Sequence, residues 1–273
     1  MRKKLFIAAC FLCMIASVLV GCSDEQQAVE VTNTKDLPTI IVGSDNYPPY
    51  NYEDANGKPT GIDVDLAAEA FQRMGYRAEF VTIDWEAKQS LVESGEIDCI
   101  WGSFSIDGRE DQYQWTKPYM YSRQVVAVRE NSDIERLADL EGKCVAVQST
   151  TKPEGIFLSH SDPRIPKLRE VFSLQKRELI YTYLSKGYAD AIAAHETAIL
   201  QCMSDYDLHY RILDEPLLTV GLGAAFSRYD DRGLAQQLSE TFDEMKQDGS
   251  MEQIIGKYLD EPQRFMEADA HAE

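Results

Sequence analysis

The chain has 273 residues, of which 44% are hydrophobic and 27% charged, with 46 Asp and Glu against 27 Lys and Arg and a formal net charge of −19 at pH 7. That balance excludes a nucleic-acid surface, because phosphate contacts need clustered Lys and Arg, and it disfavours adhesion to anionic lipid. The length suits one large domain or two medium ones, each able to bury a core.

The chain opens on Arg2, Lys3 and Lys4, followed by an uncharged apolar run from Leu5 to Val20. This is the charged and apolar pattern of a secretory signal, and it is short for a bilayer span, which needs about 20 apolar residues with anchoring flanks. Leu19-Val20-Gly21-Cys22 resembles the bacterial lipobox, so residues 1–21 are expected to be removed and Cys22 to carry two acyl chains, enough for stable anchoring. The alternative is an ordinary signal peptide with an incidental cysteine. Loss of residues 1–21 leaves 24 basic residues against 46 acidic ones, a net charge of −22. Residues 22–35 are polar and show no periodicity, and read as a tether. Of the other cysteines, Cys10 and Cys13 leave with the signal. Cys99, Cys144 and Cys202 sit in apolar contexts without CxxC or metal-ligand spacing, and are expected to be buried free thiols.

From Thr39 onward, short apolar strand-like runs alternate with helical patterns, which implies an α/β fold with parallel strands. Thr39–Gly43 reads as a strand, Asp63–Met74 as a helix with Leu66, Ala67, Ala70, Phe71 and Met74 on one face, and Gly75 as its stop. Strands at Ala78–Ile83 and Asp98–Trp101 flank a short helix from Trp85 to Ser94, and a long extended run, Tyr121–Arg129, has no helix after it. A second series follows: helix Ile134–Leu140, strand Cys144–Gln148, helix Lys152–Ser159, strand Val171–Phe172, helix Gln175–Lys186, strand Ala189–Ala193, helix His195–Ser204 and strand His209–Leu213. Gly221–Phe226 is extended again, and helices Asp230–Lys246 and Ser250–Tyr258 close the chain. Two βα series bracketed by two extended stretches suggest two lobes with a ligand cleft between them.

Several local motifs carry a resemblance. Asp45-Asn46-Tyr47-Pro48-Pro49-Tyr50, Gly61-Ile62-Asp63-Val64-Asp65, Gly95-Glu96-Ile97-Asp98, Trp115-Thr116-Lys117-Pro118-Tyr119, Leu137-Ala138-Asp139-Leu140-Glu141-Gly142-Lys143, Gly187-Tyr188-Ala189-Asp190-Ala191 and Met245-Lys246-Gln247-Asp248-Gly249 fall in one order. Together they resemble extracellular solute-binding protein family 3, the substrate-binding proteins for polar amino acids of ABC transporters, here in a lipoprotein form. The resemblance implies the type II periplasmic-binding-protein fold, two α/β lobes joined by a two-strand hinge. Residues 36–126 with 222–260 would form one lobe, 127–221 the other, and 261–273 a C-terminal tail. It also implies a small polar solute, an amino acid or amino-acid-like carboxylate, as ligand, and an ABC permease as membrane partner. No cofactor, metal or catalytic residue is expected, and the protein is expected to be a monomer on the outer face of the cytoplasmic membrane.

By that resemblance Arg109 grips a carboxylate, for which a guanidinium offers a matching planar fork; its bland role is a surface pair with Glu110 or Asp111. Ser103, Phe104 and Ser105 belong to the same loop, beyond the carboxyl end of a strand where ligands sit in such sheets. Thr150 and Thr151 would complete a carboxylate cradle at a helix N-terminus or simply cap that helix, in a loop that lacks the glycine of its relatives. Asp45 accompanies Tyr47, Tyr50 and Trp101 as expected ligand neighbours, aromatic walls being suited to amphipathic solutes but equally to cores. Where the resemblance calls for an acid to pair with the ligand's ammonium, the count lands on His195, with Glu196 next. Either Glu196 reaches the ammonium while His195 touches the side chain, or the ligand lacks an ordinary α-amino group, or His195 makes no contact at all. Two other functions stay open: a sensory lipoprotein acting through a separate membrane partner, and a dehydratase of prephenate-like acids, which fold alone does not support.

Overall fold

A computed structural model describes residues 36–268. The predicted signal, the Cys22 lipidation site and the tether therefore lie outside the described residues. In chain order the elements are β1 (Thr39–Ser44), β2 (Tyr52–Glu53), β3 (Pro59–Thr60), α1 (Ile62–Arg73), β4 (Arg77–Thr82), α2 (Lys88–Ser94), β5 (Cys99–Ile100), β6 (Tyr113–Trp115) and β7 (Met120–Arg129). Then come β8 (Cys144–Gln148), α3 (Lys152–Ser159), β9 (Glu170–Leu174), α4 (Glu178–Ser185), β10 (Ala191–His195), α5 (Glu196–Tyr206), β11 (Tyr210–Ile212), β12 (Leu218–Leu222), β13 (Ala225–Ser227), α6 (Leu234–Gln247) and α7 (Ser250–Ile255).

The strands make two principal sheets. The first runs β4-β1-β5-β13-β6, with β1 parallel to β4 and β5 and with β13 antiparallel to β5 and β6. The second runs β11-β7-β10-β8-β9, with β12 also paired to β7. β8 and β10 are buried at every position and sit at its centre, which is why they read as unbroken apolar runs rather than alternating ones. Helices cover both sheets, giving two α/β lobes of the type II periplasmic-binding fold. Two strands pass between them. β7 begins at Met120 in the core of the first lobe and by Val125 and Val126 is packed in the second, while β12 returns antiparallel beside its first half, Leu218 opposite Gln124 and Leu222 opposite Met120.

The first lobe is held by α1 and α6. α1 turns Leu66, Ala67, Ala70 and Phe71 inward and carries Asp63 and Asp65 in its first turn, where the helix dipole favours acids. Gly61 precedes it at φ 124°, and a Cβ there would run into the Tyr50 carbonyl, so only glycine admits the chain so close to the preceding loop. Phe265 and Met266, in the expected tail, pack against this core beside a short 3₁₀ turn at Pro262–Phe265. Cys99, Cys144 and Cys202 are buried and unbridged, as their apolar neighbours suggest. Three sequence expectations differ in detail. Ile134–Leu140 shrinks to a 3₁₀ turn at Leu137–Leu140, Gly221–Phe226 divides into the ends of two strands in different sheets, and the short strands at 52–53, 59–60 and 113–115 carry too few residues to show alternation.

Candidate functional site

The two lobes meet face to face over loops at the strand ends, and a narrow cavity lies between them. Lobe-to-lobe polar contacts rim it. Gln148 Nε2 donates to Asp45 at 2.7 Å, Gln175 Nε2 to Asp84 at 2.7 Å, Ser149 Oγ to Glu86 at 2.6 Å and Lys88 Nζ to Thr150 Oγ1 at 2.7 Å. Arg177 pairs with Asp45 at 3.2 Å, both side chains largely buried, and its guanidinium lies 3.3 Å from the centre of the Tyr47 ring.

The first lobe contributes Ser103, Phe104, Ser105 and Arg109 to the wall. Asp63, buried at the first turn of α1, sets the loop by accepting from the Ser103 backbone N at 2.7 Å and from the Tyr119 hydroxyl at 2.7 Å. Burial lifts this carboxyl to about 7, against the pull of those two donors. Arg109 Nη1 donates to Ser105 O and Nη2 crosses to Thr150 O at 3.0 Å, with the guanidinium 5.1 Å from the Phe104 ring centre. Glu110 accepts instead from the Gly108 backbone. Five N–H donors on the fork leave capacity for a carboxylate. Trp85, from the turn before α2, also lines the cavity, and beside it Lys88 Nζ donates to Trp85 O at 3.0 Å while lying 4.9 Å over its ring. Burial, then Arg109, lowers Lys88 to about 8.

The second lobe contributes Gln148, Thr150, Thr151, Lys152 and His195, with Gln124 from the hinge strand β7. Thr150 takes the left-handed conformation, φ 58°, in the loop that lacks the glycine of its relatives. Its backbone N donates to Glu154 Oε2 at 2.6 Å, and Thr151 makes no side-chain cap, its hydroxyl donating back to Gln148 O. No side chain caps α3; Glu154 instead accepts from the Thr150 backbone just ahead of it. His195 is buried at the end of β10. Gln124 Nε2 is 2.8 Å from its Nε2 and Ser122 Oγ 2.9 Å from its Nδ1, a pairing that puts the ring proton on Nδ1. Burial, with Arg177 nearby, pushes its pKa down to about 3, so the ring is neutral.

Of the residues singled out in the sequence, Ser103, Phe104, Ser105, Arg109, Thr150, Thr151 and His195 are brought to one cavity. Asp45 and Tyr47 stand behind it, the first engaged by Arg177 and Gln148, the second carrying the Arg177 stack and accepting from the His195 backbone N. Three do not reach it. Trp101 is fully buried among Phe71, Tyr119 and Phe242, because its side of β5 faces the first-lobe core. Tyr50 is equally buried, its hydroxyl bonded to Thr197 and Ser122 beside the hinge. Glu196 turns to Arg123 at 3.2 Å, since the first residue of α5 points off the β10 axis.

Lys88 and Arg177 escaped the sequence reading. Both carried a signal: Lys88 shares a helical face with Trp85 and Val92, and Arg177 with Ile180 and Leu184, so each is a cation on an apolar stripe. Three cavity residues also hold a buried polar atom with no hydrogen-bond partner among the described residues, Trp85 Nε1, Ser103 Oγ and Gln148 Oε1. Buried polar groups are usually satisfied, so unmet atoms converging on one space mark it for a polar ligand.

Residues 40–261 match the model of the bacterial extracellular solute-binding proteins, family 3. The chain belongs to that family. The histidine-binding periplasmic protein of Salmonella typhimurium is 32% identical over 231 residues, covering 81% of this chain and 87% of that protein. An ancestral arginine-binding protein bound to arginine has a similar structure, with TM-score 0.73 and 26% identity over 81% of this chain and 98% of its own. So does the ancestral amino acid-binding protein AncCDT-1, a precursor of cyclohexadienyl dehydratase, with TM-score 0.72 and 25% identity over 81% and 96%. The family and these relatives are binding proteins. Among the described residues of this family 3 protein, no helix is long and apolar enough to cross a membrane.

Proposed function

We propose that this protein is the lipid-anchored extracytoplasmic receptor of an ABC importer, taking a small amino-acid-like carboxylate into the interlobe cavity. The observation that carries the reading is Arg109, a guanidinium at the cavity wall that bonds both lobes and still has donors to offer a carboxylate. The matched relatives that bind histidine or arginine support the solute class. Residues 36–126 with 222–260 and residues 127–221 would swing about β7 and β12, and closure over the ligand would present one face to the permease. Cys22, acylated, would keep a monomeric receptor beside that partner. Calorimetry of the purified protein across small carboxylates and amino acids tests the reading, with binding of at least one such solute expected. Binding of none of them would sink it. Cys22→Ala is expected to release the protein from membranes with ligand affinity unchanged, and retention of the variant in the membrane fraction would remove the anchor.

A further inference from the structure

The cavity has three cations on its wall, Arg109, Lys152 and Arg177, and no Asp or Glu. Lys88 adds a fourth, its Nζ within hydrogen-bond distance of the wall residue Thr150. Acids stand around the wall rather than on it: Asp45 accepts from Arg177 and Gln148, one oxygen of Glu86 from Ser149 and one of Glu154 from the Thr150 backbone, while Asp107 and Glu110 stand by Lys152. Glu196, the one acid in a position to stand in for His195, is turned to Arg123. An ammonium placed in this space would meet cations on the wall and no carboxylate there, in a low-dielectric site where the mismatch is least screened.

Only Arg109 is needed for one carboxylate. Lys88 stands beside it, both cations reaching Thr150 and lying 5.8 and 5.1 Å from the Phe104 ring centre, and Lys88 and Arg177 sit on apolar helix faces where an unmatched cation is costly. Asp45 answers Arg177; Lys88 finds only a carbonyl and a hydroxyl. A second acidic group on the ligand supplies the missing charge. The neutral His195 ring, locked between Gln124 and Ser122, closes the end where an ammonium would otherwise be paired.

From this we infer that the ligand is a small dicarboxylate-type anion without an ammonium next to its carboxylate, its charge met by the neighbouring cations Arg109 and Lys88. The inference rests on the proposed receptor function and narrows its substrate class. Matched pairs differing only in the amino group test it by calorimetry on the purified full chain: succinate against L-aspartate, glutarate against L-glutamate, adipate against L-2-aminoadipate, with L-histidine, L-arginine and L-glutamine alongside. The deaminated member of the best-binding pair is expected to bind at least about ten-fold more tightly than its amino partner. In His195→Asp that preference is expected to reverse or vanish. Tighter binding of the amino member, or binding of neutral or basic amino acids alone, would overturn the inference and leave the receptor reading intact. If no carboxylate of any kind bound, both would fall.

Discussion

In the proposed receptor, a guanidinium bonded to carbonyls of both lobes would act as a ligand clamp and as a report on closure. Replacing Arg109 by Ala removes a charge-assisted fork worth about 1.5–3 kcal/mol per hydrogen bond, so carboxylate affinity is expected to fall by about 100-fold while the far-ultraviolet dichroism and melting cooperativity stay those of the native chain. Undiminished affinity in calorimetry would take Arg109 out of the site. Lys88 gives a pH signature. Its pKa in the free protein lies at about 8, lowered first by burial and then by Arg109 and Arg177, with Asp45 and Glu154 opposing. A bound anion raises it, so the Lys88 contribution to binding is complete below about 8 and is lost as pH rises above it. Affinity for a dicarboxylate measured between pH 7 and 9.5 is expected to decline on the alkaline side, and in Lys88→Met to be weaker and flat across the same range.

Within the elements, the first turn of α1 and the end of β10 each place one buried titratable group against the site. Asp63 positions the Ser103 loop through a backbone N–H, which makes it a positioning residue at one remove from the solute. His195 falls from its ordinary 6.5 to about 3 on burial, so the folded chain gives up a proton that the unfolded chain keeps. Its share of stability is complete above about 6.5 and is lost as pH falls towards 3. Asp63 has the opposite sign. Raised from 3.8 to about 7, it favours the folded state increasingly as pH falls from 7 towards 3.8. The melting temperature of His195→Asn is therefore expected to drop less than the native value between pH 6.5 and 4.5, and that of Asp63→Asn to drop more. Parallel curves for all three proteins would show that neither group titrates with folding.

For the molecule as a whole, the interlobe contacts would set the balance between open and closed forms of the proposed receptor. The Asp45–Arg177 pair joins the lobes with both side chains mostly buried, and removing one partner of such a pair leaves the other unmatched at a cost of about 3–5 kcal/mol. That cost falls on the closed form alone, because opening returns Arg177 to water. Asp45→Ala is expected to enlarge the radius of gyration of the ligand-free protein in small-angle scattering and to weaken ligand binding by at least about ten-fold, with the thermal transition intact. An unchanged scattering profile and affinity would show that the pair does not hold the lobes together.

The sequence by itself determined the architecture, because strand and helix periodicities are local. β8 and β10 are legible as continuous apolar runs, α1 and α6 as amphipathic stripes, and β7 as an extended run too long to be one strand of a single small sheet. Through its resemblance to the solute-binding family it also brought Ser103, Arg109, Thr150 and His195 to attention, and the fold gathers them at one cavity. Only the tertiary structure decided how the aromatics divide. Trp101 and Phe104 are three residues apart on one strand exit, yet one faces the first-lobe core and the other the cavity. Only the tertiary structure turned Glu196 to Arg123 and Asp45 to Arg177, leaving four cations around the cavity and no acid on its wall. Charge pairing across lobes depends on residues more than 70 positions apart along the chain, and no local pattern records it.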